Sequence, residues 1–518
     1  MSKKLLKSGL IVSMMTMISR VLGLVRDVVI AHMAGTGLAA DVYLLANRIP
    51  NFFRRLFAEG AFAQAFVPVL SEVKEKHGDD EVRILFAKVA GTLGGIITVV
   101  TILGVLGSSI VAGLFGFKWF WLWFTGDGDE GKFELFSLML KFTFPYLWFI
   151  TFVALSGAIL NTYNRFAVAA FTPVFLNIAI ICCAWFLSPY FEVREMSLAI
   201  GVFIGGLVQF LFQLPFLAKQ GLLVRPQWGW NDKYVKRIRT LMLPAMFGVS
   251  VSQINLLLDT VIASALITGS VSWLYYADRL IEFPLGLFGI GIATVILPAL
   301  SRQYVNENKQ QFASTMDWAI RFISLTGVPA LAGLMVLAQP IIAVLFFHGE
   351  FKASDVTQVS YSLIAYACGL VSFMMIKVLA PGYYSRQDIK TPVRIGIIAM
   401  VSNMALNLMF VPFMGYIGLA LATSVSATLN AYLLYRGLKQ QGIYQFSRAT
   451  LMFFAKLLVA VLCMTAVLLY VTPEISVWFA WNTFERAMWV AIYIGCGAVV
   501  YLAVLVILGL RPRDLKSS

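Results

Sequence analysis

The chain has 518 residues, of which 60% are hydrophobic and 13% are charged, and its formal net charge is +14. Soluble domains carry about 25% charged residues, so this composition excludes a soluble protein and indicates an all-α protein that crosses a membrane many times. Nucleic-acid binding is not indicated, because the basic residues are spread over many loops rather than clustered with stacking aromatic residues.

Apolar segments recur from one end of the chain to the other. A transmembrane helix needs about 20 residues, and the pattern predicts about 14 such helices. The ninth is expected to be broken, because Pro329 and Pro340 lie inside it. The predicted spans are residues 8–34, 42–70, 83–115, 133–160, 168–188, 197–218, 241–266, 272–301, 313–347, 357–383, 393–412, 415–435, 450–472 and 482–508.

Basic residues are distributed unequally between alternate loops. One set of loops, together with both termini, holds most of them, whereas the opposite set holds only Lys118, Lys132, Arg194, Lys352 and Arg486. The positive-inside rule therefore predicts that both termini are cytoplasmic. Residues 219–239 on this side combine basic residues with Trp228 and Trp230, and this segment is expected to contact anionic lipid.

Short motifs of the first half of the chain return in the second half. Asp27–Ala31 (DVVIA) resembles Asp259–Ala263 (DTVIA), and Val67–Ser71 (VPVLS) resembles Leu297–Ser301 (LPALS), at a nearly constant shift. The shift covers six spans, so the two copies share one orientation, as in transporters that bind substrate between parallel repeats. The predicted domains are a six-helix bundle (1–220), a basic amphipathic cytoplasmic linker (221–240), a second six-helix bundle (241–440) and two extra transmembrane helices (441–518).

Charged side chains also occur inside the predicted spans. A central arginine that faces lipid costs about 2.5–3.5 kcal/mol, so these residues must line a hydrated cavity or pair with carboxylates. Three ion pairs would explain some of them: Arg20 with Asp27, Arg55 with Glu59, and Arg279 with Glu282. The polar residues are Arg20, Arg26 and Asp27 in the first span, Asn47, Arg48, Asn51, Arg54, Arg55 and Glu59 in the second, Asp278, Arg279 and Glu282 in the eighth, and Lys377 in the tenth.

Arginine exceeds acid within the first, second and eighth spans. The comparison is six arginines with four acids, or with five when Asp41 at the outer end of the second span is included. A cavity with surplus arginine favours an anionic guest, and the guanidinium fork matches phosphate oxygens in bidentate geometry. The residues therefore predict a phosphate-bearing substrate.

Four long motifs resemble the lipid II flippase family (MurJ, also called MviN), which belongs to the multidrug/oligosaccharidyl-lipid/polysaccharide exporter superfamily. They are Ser19–Asp27 (SRVLGLVRD), Pro50–Pro68 (PNFFRRLFAEGAFAQAFVP), Ser272–Gly286 (SWLYYADRLIEFPLG) and Lys377–Pro392 (KVLAPGYYSRQDIKTP). The resemblance implies two pseudo-symmetric six-helix bundles around a central cavity, with the two C-terminal helices forming a groove for a lipid tail. It also implies a monomer in the bacterial cytoplasmic (inner) membrane.

The implied substrate is lipid II, the undecaprenyl-diphosphate-linked peptidoglycan precursor, moved from the cytoplasmic to the periplasmic leaflet by alternating access. The resemblance assigns substrate binding to Arg20, Arg26, Arg54 and Arg279, with Asp41, Asn51, Glu59 and Glu282 as further polar positions. Secondary candidates are Asp27, Arg48, Arg55, Ser272 and Lys377.

Other functions were weighed against this one. A flippase for another polyprenyl-diphosphate-linked oligosaccharide, or a multidrug/cation antiporter of the same superfamily, remains an alternative. An enzyme is disfavoured because the three histidines are scattered and GLFGIG (Gly286–Gly291) lies inside a span without a βαβ pattern. No cofactor is expected, and an ion gradient or membrane potential should drive transport. Asp259, Asn403 and Asn407 form a weak candidate cation site that helix-to-helix hydrogen bonds would explain equally well.

Overall fold

The computed structural model describes residues 3–56, 62–128 and 131–511, with side chains except those of 3–13, 63, 64, 243–245, 247–252, 290, 293 and 294. Within these residues the regular structure is helical and contains no strand. Three short segments of the described chain depart from α geometry: a 3₁₀ turn at Ser188–Tyr190 and π-helical segments at 54–56 and Leu285–Ile290.

The helices of the first half are α1 (Lys3–Ala34), α2 (Leu38–Phe53), α3 (Phe62–Leu106), α4 (Ser108–Phe115), α5 (Phe117–Thr125), α6 (Lys132–Thr143), α7 (Tyr146–Thr162), α8 (Phe166–Phe186), α9 (Met196–Lys219) and α10 (Lys233–Ser264). Those of the second half are α11 (Ser270–Pro284), α12 (Gly291–Val305), α13 (Lys309–Val336), α14 (Ala338–Phe346), α15 (Ala353–Ala367), α16 (Leu370–Tyr384), α17 (Lys390–Met414), α18 (Tyr416–Gln440), α19 (Arg448–Val471), α20 (Ile475–Ala480) and α21 (Thr483–Ile507).

The membrane-spanning, all-α class predicted from the sequence is confirmed. Ten helical segments of the described chain are long and apolar enough to cross a bilayer, and each coincides with a predicted span. The other four predicted spans fall on α1, on α2 with the start of α3, on α10, and on α11 with α12. These helices carry most of the intramembrane charges, and α2, α11 and α12, with 16, 15 and 15 residues, are each too short to cross a bilayer alone.

The break between the second and third predicted spans is at Gly78, inside the loop predicted at 71–82, and that loop is shorter than expected. α2 ends at Phe53, and residues 57–61 lie outside the described part of the chain. Helical structure runs from Phe62 into the loop predicted at 71–82 and resumes after Gly78. Charged pairs one turn apart, such as Glu72 with Lys76 at 3.0 Å, stabilise helix in this polar stretch. The interruption comes at Gly78, whose φ of 81° is accessible to glycine without strain.

The predicted break in the ninth span is confirmed, and its position is now defined. α13 passes through Pro329 and ends at Val336, and α14 begins directly after Leu337. Pro340 lies in the first turn of α14, where a backbone N–H has no partner within the helix. Proline is therefore tolerated there, and the chain bends before it.

The chain folds into two compact units, Met1–Ser272 and Trp273–Ser518. In the first unit α10 packs on α2 and α3, although the sequence repeat assigns it to the second bundle. The domain boundaries inferred from the repeat stay a prediction.

Small residues allow close helix packing inside the first unit. Gly201 and Gly205 lie one turn apart on α9, which packs along α8. A Cβ on Gly201 would come within 2.9 Å of the Cα of Ile180, and one on Gly205 within 2.7 Å of Leu176 Cδ1. This small-xxx-small pattern is a common basis of helix association in lipid.

A polar cluster fixes α19 to α13 inside the second unit. The carboxylate of Asp317 accepts hydrogen bonds from the hydroxyls of Tyr444, Ser447 (2.8 Å) and Thr450 (2.9 Å) and from Arg321 Nη2 (3.2 Å). Burial and the adjacent Asp317 carboxylate raise the pKa of Tyr444, so its hydroxyl remains a donor at physiological pH. The first of the two extra helices is thereby anchored at its N-terminal end.

Replacing Tyr444 by Phe should lower the stability of this anchor, because it removes one hydrogen bond to a charged acceptor, worth about 1.5 kcal/mol. The thermal unfolding midpoint in detergent should fall. Tyr470→Phe is the matched control, since Tyr470 lies on α19 and is 91% exposed. Equal midpoints for the two variants would contradict a stabilising role for the cluster.

Candidate substrate-binding site

Arg26 on α1 forms an ion pair with the neighbouring Asp27. Arg26 donates from Nε and Nη2 to Oδ1 of the buried Asp27, at 3.0 and 2.7 Å, and from Nη1 to Oδ1 of Asn177 on α8 at 3.1 Å. The guanidinium group is therefore held between one carboxylate and one amide. This arrangement fixes its direction.

The alternative pairing of Arg20 with Asp27 is wrong. Seven residues of helix rise by about 10.5 Å, which separates these two side chains by two turns. Arg20 is exposed, and among the described residues it forms no ion pair. Arg20 is thus the arginine on α1 that the described acids do not neutralise.

Asn177 was not among the candidates from the sequence. Besides accepting from Arg26, it donates from Nδ2 to the backbone carbonyl of Ser19 at 3.2 Å, so it joins α8 to α1. The available signal was a lone, buried amide in an otherwise apolar helix. Such a residue in a membrane span usually marks a hydrogen bond between helices.

The polar stripe predicted on α2 is confirmed as a connected series. Asn51 donates to the carbonyl of Asn47 at 2.8 Å, and Arg54 Nε donates to Asn51 Oδ1 at 3.1 Å. On the neighbouring stripe, Arg55 reaches Gln253 of α10 at 3.4 Å. Glu59, the predicted partner of Arg55, lies outside the described residues.

Arg48 lies on the same helix as this series. Its Nε is buried and has no hydrogen-bond partner among the residues described. A buried N–H group without a hydrogen-bond acceptor lowers the stability of the folded protein, and a bound anion would supply an acceptor. Arg48 therefore stays a secondary candidate for contact with an anion.

Asp41 holds the start of α11. Its carboxylate is 3% exposed and accepts from the backbone N–H of Gly269 (2.6 Å), the backbone N–H of Ser272 (2.9 Å) and the Ser272 hydroxyl (2.6 Å). Carboxylates are favourable at helix N-termini, where N–H groups have no intrahelical partner. The structure thus brings together two site candidates, Asp41 and Ser272, and gives Asp41 a positioning role.

In the second unit, the predicted pair of Arg279 with Glu282 is confirmed. Arg279 Nη1 donates to Glu282 Oε2 at 2.8 Å, and Nη2 donates to the Tyr275 hydroxyl at 3.3 Å. Both members of the pair are partly exposed. The next segment, Leu285–Ile290, is π-helical and packs against α16, which carries the exposed Lys377.

The candidate cation residues belong to separate units. Asp259 is buried on α10 of the first unit. On α17 of the second unit, Asn407 Nδ2 donates to Asn403 Oδ1 at 3.1 Å, and Asn403 Nδ2 donates to Thr423 Oγ1 of α18 at 3.3 Å. Hydrogen bonding between helices thus involves both asparagines, and a cation role stays a prediction.

Comparison with known proteins supports one family. The sequence pattern of the family described as lipid II flippase MurJ matches residues 30–489. A probable lipid II flippase MurJ of Vibrio cholerae is 63% identical over 100% of this chain and 98% of its own length. A probable lipid II flippase MurJ of Haemophilus influenzae is 58% identical over 97% of this chain and 100% of its own.

A solved structure supports the same assignment. The structure of lipid II flippase MurJ in an inward closed conformation has a TM-score of 0.81 and 30% identity, and the match covers 98% of this chain and 99% of that one. The fold, the sequence pattern and the close relatives agree. The chain therefore belongs to the lipid II flippase MurJ family.

Proposed function

We propose that the protein is a transporter that moves lipid II from the cytoplasmic to the periplasmic leaflet of the bacterial inner membrane. Membership of the MurJ family supports the activity and the substrate. The finer claim is that arginines on α1, α2 and α11 bind the diphosphate of the substrate. Arg20, Arg26 and Arg54 of the first unit and Arg279 of the second are the proposed ligands.

The observation that carries this claim is that the Asp41 carboxylate binds backbone N–H groups and a hydroxyl. From the sequence, six arginines compare with five acids when Asp41 is included. In the structure Asp41 accepts from backbone N–H groups and Ser272. Removing it from the comparison leaves six arginines and four acids, namely Asp27, Glu59, Asp278 and Glu282. The structure therefore supports the larger of the two positive surpluses that the sequence allowed, six arginines against four acids.

A diphosphate is the part of lipid II that hydrocarbon excludes most strongly. Guanidinium groups can replace its hydration with charge-assisted hydrogen bonds. Partners such as Asp27 and Asn177 orient Arg26 before the anion arrives, which reduces the entropy lost on binding. In this way part of the charge of the arginines is neutralised and the remainder is available to phosphate.

The polyprenyl tail need not leave the lipid. We propose that α19 and α21, the two extra helices, carry the tail along a groove, because their outer faces are strongly apolar. Exposed residues there include Leu458, Leu462, Leu469, Val499 and Leu502. The protein would act as a monomer by alternating access, with both termini cytoplasmic and an ion gradient or membrane potential as the energy source.

A cation antiporter is less well supported. It would need carboxylates that are available to a positive guest. Here Asp27 binds Arg26, Glu282 binds Arg279, and Asp41 binds the start of α11. These acids already have donors, which favours an anionic substrate.

Truncation of the Asp41 side chain should lower the stability of the protein more than truncation of Ser272. Asp41→Ala leaves two buried backbone N–H groups without an acceptor and should cost about 2–4 kcal/mol, whereas Ser272→Ala removes one hydrogen bond and should cost about 1 kcal/mol. Thermal unfolding midpoints of the two variants in detergent measure the difference. An equal or reversed order would contradict the positioning role of Asp41.

The arginine assignment is tested by translocation of lipid II in reconstituted vesicles, with and without an imposed membrane potential. Alanine variants of Arg20, Arg26, Arg54 and Arg279 should each reduce the rate about tenfold or more, because each removes a charge-assisted contact of roughly 1.5–3 kcal/mol. Arg302→Ala is the control, since Arg302 is exposed near the end of α12.

Two results would contradict parts of this proposal separately. Full activity in all four arginine variants would remove the diphosphate assignment while leaving the flippase activity intact. A wild-type protein that translocates no lipid II in vesicles, with or without a potential, would contradict the activity itself.

A further inference from the structure

The segment that joins α9 to α10 is held against the middle of α3. The backbone N–H of Gln227 donates to the carbonyl of Ala87 at 2.8 Å, and that of Gly229 donates to Thr92 Oγ1 at 2.9 Å. Gly91 permits this approach, because a Cβ there would lie 2.1 Å from the Gln227 carbonyl oxygen. The segment therefore has a defined path along α3.

An ion pair fixes the end of this segment. Lys88 Nζ lies 2.6 Å from Oδ2 of Asp232, which also caps α10 by accepting from the N–H of Tyr234 at 2.9 Å. Burial raises the pKa of Asp232, but the hydrogen bonds from Lys88 and from the backbone N–H groups outweigh it and lower the pKa overall. The start of α10 is thus fixed relative to α3.

Two tryptophans and one arginine lie at this junction. Trp228 and Trp230 stack with their ring centroids 6.1 Å apart, and Trp228 is 65% exposed. The guanidinium carbon of Arg239 lies 3.7 Å from the centroid of Trp230, a cation–π contact. Exposed tryptophans next to basic residues are typical of the membrane–water interface.

An apolar groove opens beside Arg239. It lies between α3 and the first turns of α10, and its cavity volume is about 50 Å³. Apart from Arg239 and Thr92, its walls are apolar: Phe62, Val89, Leu93, Ile96, Trp230, Val235, Ile238 and Met242. On α3 the groove continues into a stripe of exposed apolar residues at Val99, Leu103 and Leu106.

Arg239, which lines this groove, has one N–H donor without an acceptor among the described residues. Its Nη1 is buried and, among the described residues, has no hydrogen-bond partner. Leaving a buried charged donor unsatisfied is costly. An anion at the mouth of the groove would satisfy it, and Lys233 on the adjacent exposed surface adds positive charge there.

We propose that this groove, which we call the α3–α10 groove, binds one anionic phospholipid of the surrounding membrane. The phosphate would accept from Arg239 Nη1 at the level of the tryptophans, and one acyl chain would lie in the groove and along the apolar stripe of α3. Charge complementarity identifies the headgroup as anionic, and the continuity between groove and stripe identifies the ligand as a lipid. The site is separate from the arginines assigned to the diphosphate.

The test measures lipid binding to the full-length, delipidated protein by native mass spectrometry. Phosphatidylglycerol and phosphatidylcholine with identical oleoyl chains are the probes, and inorganic phosphate is added as a competitor. Arg239→Gln should weaken phosphatidylglycerol binding about tenfold, in line with loss of one charge-assisted hydrogen bond. Arg239→Lys keeps the charge and should restore part of the affinity.

Lys236→Gln is the matched control, because it removes one charge from the same helix at an exposed position outside the groove. Its affinity should stay within about twofold of the wild type, as expected for an exposed charge. The wild type should prefer phosphatidylglycerol to phosphatidylcholine, and millimolar inorganic phosphate should not displace the lipid.

Three results would overturn the proposal: wild-type affinity in Arg239→Gln, equal binding of the two lipids, or displacement by inorganic phosphate. A second measurement applies if Arg239→Gln does not fold. Phosphatidylglycerol with brominated chains should quench more tryptophan fluorescence in the wild type than in Trp230→Phe. Equal quenching in these two proteins would contradict the position of the acyl chain.

Discussion

A guanidinium group cannot be left without acceptors inside a bilayer, and this constraint explains most of the polar contacts in the structure. Arg26 is held by Asp27 and Asn177, and Arg279 by Glu282. Arg486, at the start of α21, is buried and donates instead to three backbone carbonyls, those of Phe347, Trp478 and Phe479. The arginines thus differ in how many of their N–H donors have acceptors among the described residues. Those with the fewest acceptors are the best candidates to bind phosphate.

The acids of the site serve two different purposes. Asp27 and Glu282 orient arginines, whereas Asp41 binds the N–H groups at the start of α11, the helix that carries Arg279. A carboxylate bound to N–H groups does not neutralise an arginine. Because Asp41 does not pair with an arginine, more of the positive charge of the arginines is available to the substrate, and the carboxylate of Asp41 still has hydrogen-bond donors.

The class of fold and the polar stripes could be predicted from the sequence, because helical periodicity decides which residues share a face. Contacts between distant helices could not. Asn177 reaches Arg26 across 151 residues, and no local pattern pairs them. The expected pair of Arg20 with Asp27 was wrong because a shared face does not bring together residues two turns apart. The helical structure on both sides of Gly78, within residues 71–82, was missed because polarity was interpreted as a loop.

Changing the charge beside Arg26 while keeping every arginine tests the central claim most directly. In Asn177→Asp a carboxylate would replace the amide that accepts from Arg26 and would compete with phosphate for it. The measurement is the rate of lipid II translocation in vesicles, with Asn177→Ser as the neutral control. The account predicts a fall of about tenfold or more in the Asp variant, equivalent to about 1.4 kcal/mol, and a much smaller change in the Ser variant. Equal rates in the two variants would contradict the role of surplus positive charge.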